Sequence, residues 1–220
     1  MIKLIKSHEP KVLLDNATIW LEELNDAILI NDKKQIAAKK SKYNHAQIKK
    51  AVIKETNGKC AYCEANVQAV SHGDIEHVFP KSLDISKTFE WENLGFACQI
   101  CNQHKSDKDP YFEKIIDPYK TDPSPYIKFF AAFINSNGTS EGLKTISCLK
   151  LDRAPLFEQR QNLFKNLIRC IDVINTAKNI EDKIILIADF ESNELGPTLE
   201  FSAMRRDFWE SFKPRIESVD

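Results

Sequence analysis

Four cysteines in two pairs carry the clearest chemistry in the chain. Cys60 and Cys63 form one CxxC, Cys98 and Cys101 a second, with 34 residues between the pairs. Two such knuckles offer four thiolates at the spacing of tetrahedral zinc, and soft sulfur selects Zn2+ over Mg2+ or Ca2+. Four sulfurs fill the coordination shell and leave no position for water, so this ion is expected to be structural. Buried free thiols or a redox CxxC are the competing readings, and a redox motif has no need of a twin. Cys148 and Cys170 lie in a helical pattern and read as core residues.

Between the knuckles run Asp74, Ile75, Glu76, His77, Val78, Phe79, Pro80 and Lys81, then Trp91, Glu92, Asn93 and Leu94. Asn102, His104 and Lys105 follow the last cysteine. A carboxylate, an imidazole and two amides are thus bracketed by the residues that would pin them around one ion. An isolated histidine is usually structural, but this bracketing reverses the expectation for His77.

The elements that must position these groups divide into three stretches. Residues 1–57 read as helical, with Val12, Leu13, Trp20, Leu21, Leu24, Ile28 and Leu29 at near-helical spacing and a second run through Ile48, Val52 and Ile53. Asn31 to Lys42 reads as a linker or an exposed helical continuation, and Gly58 as the left-handed residue ending a helix. Residues 58–118 carry the knuckles, with the segment around Ile75, His77 and Phe79 alternating as in a strand. In residues 119–220, Tyr126 to Ile134 reads as a strand. Helices are expected from Leu143 onward, over Ile180 to Phe190 and over Thr198 to Phe212.

Composition bounds what the whole chain does. Its 220 residues are 42% hydrophobic with a formal net charge of −1 and a pI near 6.5, so no global field draws it to nucleic acid. Phosphate contacts are instead expected between Lys33 and Lys59, where nine lysines face one acid, Glu55. The chain lacks an apolar run of about 18 residues and a secretory leader pattern. A cytoplasmic protein with no membrane segment is the expectation.

These motifs resemble the HNH endonuclease family, in which a ββα-metal unit carries an acid–His pair, a middle Asn and a third His or Asn after the last zinc cysteine. Glu76, His77, Asn93 and Asn102 match, and His104 is an alternative third member. The resemblance implies an α+β, predominantly helical protein: a treble-clef-like ββα core with a four-cysteine zinc site, flanked by N- and C-terminal helices. Met1 to Leu4, Gly58 to Glu64, Phe89 to Leu94 and Cys101 to Asp107 further resemble the HNH subunit of Septu and retron-associated anti-phage systems. That likeness implies an ABC-type ATPase partner, and in retron-linked systems a reverse transcriptase with its RNA/DNA hybrid. DNA is the favoured substrate, with RNA, including tRNA, as the alternative.

In this reading His77 is the general base, and Glu76 and the Asn102 amide oxygen are hard ligands for a catalytic Mg2+ or Mn2+. Asn93 fixes the two strands and orients His77, while Lys105 and His104 are candidate phosphate contacts. A zinc module that binds nucleic acid or a partner without cutting is the rival, and it has no need of His77.

Overall fold

The computed structural model describes residues 1–68 and 71–217, with side chains through residue 213. Residues 1–10 form neither helix nor strand, and the Leu4 amide donates to the Pro118 carbonyl. Three helices follow: α1 (Lys11–Leu29), α2 (Lys33–Lys40) and α3 (Ala46–Glu55). The Lys-rich stretch is therefore a helix of its own. Asn31 turns the chain at a φ of 53°, and the Asp32 carboxylate caps α2 by accepting from the Lys34 and Gln35 amides. Gly58, at a φ of 75°, closes α3 with its amide on the Ile53 carbonyl, as its position implied.

The centre is a two-stranded antiparallel ribbon and one short helix. Strand β1 (Asp74–His77) pairs with β2 (Leu94–Ala97) in the register Asp74 to Ala97, Ile75 to Phe96, Glu76 to Gly95 and His77 to Leu94. Helix α4 (Gln99–Lys105) then packs against β1. Ile75, Glu76 and His77 are all buried, because helices cover the ribbon and leave β1 no solvent face. Beyond it, the expected single strand is a hairpin, β3 (Lys128–Phe130) with β4 (Phe133–Asn135), turned at Ala131 with a φ of 52°. Helices α5 (Ser140–Leu149), α6 (Ala154–Asn175), α7 (Ile180–Glu194) and α8 (Ser202–Glu217) complete the α+β, mainly helical fold. No helix among the described residues is long and apolar enough to cross a membrane.

One buried cluster joins Leu13 and Leu24 of α1, Ile48 and Val52 of α3, Tyr62, Phe96, Ile115 and Leu149. A second, of Leu167, Ile171, Ile174, Phe190, Phe208 and Trp209, holds α6, α7 and α8 together. The first cysteine turn is also clasped from far along the chain. Lys59, only 3% exposed, donates to the Leu199 carbonyl at 2.8 Å and to the Ser202 hydroxyl at 2.7 Å. The Asn66 amide donates to Glu200, and the Phe201 amide to the Glu64 carbonyl. Lys59 is thus a structural residue, which removes it from the nine lysines expected near phosphate.

Candidate nuclease site and zinc centre

The sulfurs of Cys60, Cys63, Cys98 and Cys101 all lie within 4.8 Å of one another, with Cys63 and Cys98 at 3.9 Å. A tetrahedron with Zn–S bonds near 2.3 Å has sulfur edges of about 3.8 Å, so this set is compatible with zinc as it stands. Local backbone shapes it. The Cys60 amide donates to the Ala65 carbonyl, Glu64 takes a φ of 62°, and the Cys98 sulfur caps α4 by accepting from the Cys101 amide at 3.4 Å. Arg153 approaches the Cys101 sulfur at 3.6 Å and that of Cys98 at 3.9 Å, offsetting part of the negative charge four thiolates would carry. Cys148 and Cys170 stand apart from the cluster, as read from sequence.

Beside this staple, a cavity of about 500 Å3 is lined by Asp74, Glu76, His77 and Asn102, and by Lys40, Tyr43, Lys49 and Lys81. His77 is 5% exposed. Its Nε2 lies 3.0 Å from the Thr88 carbonyl, which can only accept, so Nε2 carries the proton and Nδ1 is the acceptor. The Lys81 ammonium stands 3.3 Å from Nδ1, and the Tyr43 ring meets the imidazole edge-on at 4.5 Å between centroids. Burial first, then the Lys81 charge, holds the His77 pKa down at about 3, against the pull of the Thr88 carbonyl. The imidazole is neutral at cellular pH.

Glu76 is buried, with Oε1 2.8 Å from the Lys105 ammonium and 3.3 Å from the Tyr62 hydroxyl. Desolvation raises its pKa, and Lys105 opposes that rise. Lys105 is 1% exposed and also donates to the His77 carbonyl at 2.8 Å. This corrects its expected role: its ammonium is spent inside the fold, bracing Glu76 and His77, and cannot reach a phosphate. His104 is exposed in the last turn of α4, outside the cavity lining and on a different face of the helix from Asn102, so Asn102 rather than His104 takes the third position at the cavity. Asn102 does line the cavity, and its amide donates to Asp74 at 2.9 Å.

Asn93 lies outside the cavity lining, and its side chain makes no hydrogen bond to His77 among the described residues. Its Oδ1 accepts from the Phe79 amide at 2.7 Å, and its Nδ2 donates to the carbonyls of Phe79 at 2.9 Å and Lys87 at 3.0 Å. It therefore cross-ties the loop that delivers the Thr88 carbonyl to His77. Asp74, Tyr43, Lys40, Lys49 and Lys81 had no individual assignment from sequence. Asp74 was legible in principle, two residues before Glu76 on an alternating strand, and Lys40 and Lys49 sit in the basic stretch; nothing local marks Tyr43.

Residues 60–108, which span the cysteines and the cavity's central residues, match the family described as HNH endonuclease. This segment is an HNH endonuclease domain. Across most of its length the chain is also similar to the Septu protein PtuB of Bacillus mycoides (strain KBAB4), at 27% identity over 238 residues, covering 91% of this chain and 79% of that protein. A Septu protein PtuB of Bacillus thuringiensis is 33% identical over 107 residues, 48% of this chain and 41% of that protein. The HNH match covers β1, β2 and α4 but leaves out Lys40, Tyr43 and Lys49, which come from the preceding helices.

Asp74, Glu76 and Asn102 present hard oxygen donors to one cavity, a chemistry that suits Mg2+ or Mn2+. The only metal-competent cluster of three or more His, Cys, Asp or Glu among the described residues is the four-cysteine set. A second ion would therefore rely on an amide, water and substrate oxygens as well as carboxylates.

Proposed function

We propose that the protein hydrolyses nucleic-acid phosphodiester bonds, DNA in the first instance, as the nuclease of a Septu-type anti-phage system gated by an ABC-type ATPase partner. The observation that carries the chemistry is His77: a buried imidazole whose proton is fixed on Nε2 by Thr88, so that Nδ1, beside Lys81, is the acceptor facing a cavity bordered by carboxylates and lysines.

His77 Nδ1 takes a proton from water as the water oxygen bonds to phosphorus and the ester P–O bond breaks, the departing oxygen receiving its proton from solvent. General-base assistance of this kind is worth about 10²- to 10⁴-fold in rate. An anionic phosphate in the cavity offsets the Lys81 charge and raises the basicity of His77 when substrate is bound. Asn93 acts at one remove, holding the 79–88 loop and so the imidazole's tautomer. Glu76, Asp74 and Asn102 would hold the catalytic Mg2+ or Mn2+, which when bound supplies Lewis-acid stabilisation of charge on the phosphate. The four cysteines hold a structural zinc that fixes the start of α4 against the ribbon. The names of the relatives carry the defence role. For the ATPase, α7 offers Ile180, Ile184 and Ile185, each more than half exposed, as an apolar landing face.

The test is Mg2+-dependent cleavage of plasmid DNA and of tRNA by wild type and His77→Ala, with and without the ATPase, with zinc measured alongside. Cutting by wild type only, with one zinc in each protein, is expected. Cutting of tRNA alone would move the substrate to RNA; zinc and nucleic-acid binding without cutting would favour a non-catalytic zinc module.

A further inference from the structure

Three lysines from outside β1, β2 and α4 converge on the cavity: Lys40 at the end of α2, Lys49 in α3 and Lys81 in the loop after β1. Three other lysines of the basic stretch are engaged elsewhere. Lys39 and Lys42 pair with Glu23, and Lys59 is consumed by the clasp on residues 197–203. Lys40 and Lys81 make no ion pair among the described residues, and both are only half-exposed.

Lys40 and Lys81 repel each other across one cavity. Burial lowers the pKa of both; the charge of Lys81 lowers that of Lys40 further, while Glu76 offsets part of the effect on Lys81. Like charges held this close, neither of them in an ion pair, are relieved by an incoming anion. Lys49 is tied to the Gly73 carbonyl at 2.9 Å, which places the residue before β1.

Tyr43 joins the cation to the base. The Lys81 ammonium lies over the Tyr43 ring, 4.6 Å from its centroid, while the same ring meets His77 edge-on. An ammonium attracted to the ring face by its quadrupole loses freedom it would have in solvent. Because Lys81 stands 3.3 Å from Nδ1, an oxygen anion bound to Lys81 at about 2.8 Å adjoins the position from which water would donate to that nitrogen.

We propose that Lys40 and Lys81, with Tyr43 holding Lys81 in place, form the seat of the substrate phosphate, so that residues preceding the HNH-matched segment complete the site. The proposal rests on the nuclease reading. Lys40 and Lys81 touch the phosphate; Tyr43 is a positioning residue that acts through Lys81 and His77.

The experiment uses the full-length zinc-loaded chain, with the ATPase where cutting needs it. The variants are Lys40→Met, Lys81→Met, Lys81→Arg, Tyr43→Phe and Tyr43→Leu, with Lys50→Met as a control on an exposed neighbour outside the cavity. Single-turnover cleavage is measured in Mg2+. Binding of a labelled DNA duplex and a labelled single strand is measured in Ca2+ over a range of salt, and zinc content and melting temperature confirm folding. Lys81→Met is expected to slow cleavage about 100-fold, the usual effect of losing one preorganised donor. Each Lys→Met change in the seat is expected to reduce the slope of log Kd against log salt by about 1, with Lys81→Arg keeping the slope. Tyr43→Leu should lower kcat at an unchanged slope, and Tyr43→Phe should restore it.

Lys40→Met and Lys81→Met behaving like Lys50→Met in both assays would overturn the seat. Wild type that binds without cutting would remove the nuclease reading and leave the salt slopes to decide the seat. Wild type that neither binds nor cuts would overturn both.

Discussion

Lys105 offers the sharpest test of how the site is braced. Lys105→Met removes the ammonium and keeps an unbranched stem, so packing changes little. Glu76 then loses its 2.8 Å partner and keeps only the Tyr62 hydroxyl at 3.3 Å, while the His77 carbonyl loses its donor. Both partners of the pair are at most 4% exposed. Breaking such a pair costs about 3–5 kcal/mol. Because burial already favours the protonated form of Glu76, proton uptake limits the loss to the lower end, about 3 kcal/mol near neutral pH. In a chain of this size that lowers the melting temperature by about 6–12 °C. Urea unfolding of wild type, Lys105→Met, Glu76→Gln and the double variant closes a thermodynamic cycle. The pair is expected to show a coupling of about 2 kcal/mol or more, with the double variant more stable than the two single losses predict. A Lys105→Met protein within about 1 kcal/mol of wild type, or a double variant whose losses simply add, would refute the account. A surface phosphate contact would give the opposite pattern: normal stability with weakened nucleic-acid binding.

Three other outcomes follow from the geometry. The folded His77 pKa lies near 3, below its unfolded value of 6.5, so its contribution to stability is complete above about pH 6.5 and is lost as pH falls toward 3. Between neutrality and about pH 5, wild type should lose about 2 kcal/mol more than His77→Gln in urea titrations; equal losses would count against the buried neutral imidazole. Gly73→Ala places a methyl at a φ of 57° and 2.5 Å from the Phe96 ring, and should cost about 2–4 kcal/mol with slowed cleavage, read by calorimetry and nuclease assay. Cys101→Ser should lose the zinc and the α4 circular-dichroism signal together, because zinc binding in small sites is folding free energy; a variant that keeps its zinc and helix content would argue against the staple.

The sequence was most informative where ligand chemistry is local. Two CxxC turns declare a four-sulfur site whatever the surrounding fold does, and the bracketed acid–His pair located the cavity. Lys105 was misread because a lysine after a polar stretch looks solvent-facing, although it lies four residues beyond Cys101 and so shares that ligand's buried helix face. By the same periodicity, His104 points away from Asn102's side. The β3–β4 hairpin escaped notice because its turn places Ala131 at positive φ where Gly or Asn would have announced it. Tyr43 lies 34 residues before His77, and no local pattern encodes that contact, which exists only once α2 and α3 fold back over the ribbon.

The clasp between residues 59–66 and 197–203 bears on how this nuclease can be rearranged. The HNH segment reads along the sequence as a cassette of about fifty residues, yet Lys59 just before it, and Glu64 and Asn66 within it, draw hydrogen-bond partners from the far end of the chain. A graft of that segment alone onto another scaffold would leave the buried Glu64 carboxylate without the Met1 amino group and the Ala203 amide, so it would be inherited, swapped or engineered only together with its distal helices. A truncation meant to remove a docking arm would likewise unseat the first cysteine turn, and any loss of partner binding would have to be read beside the zinc content.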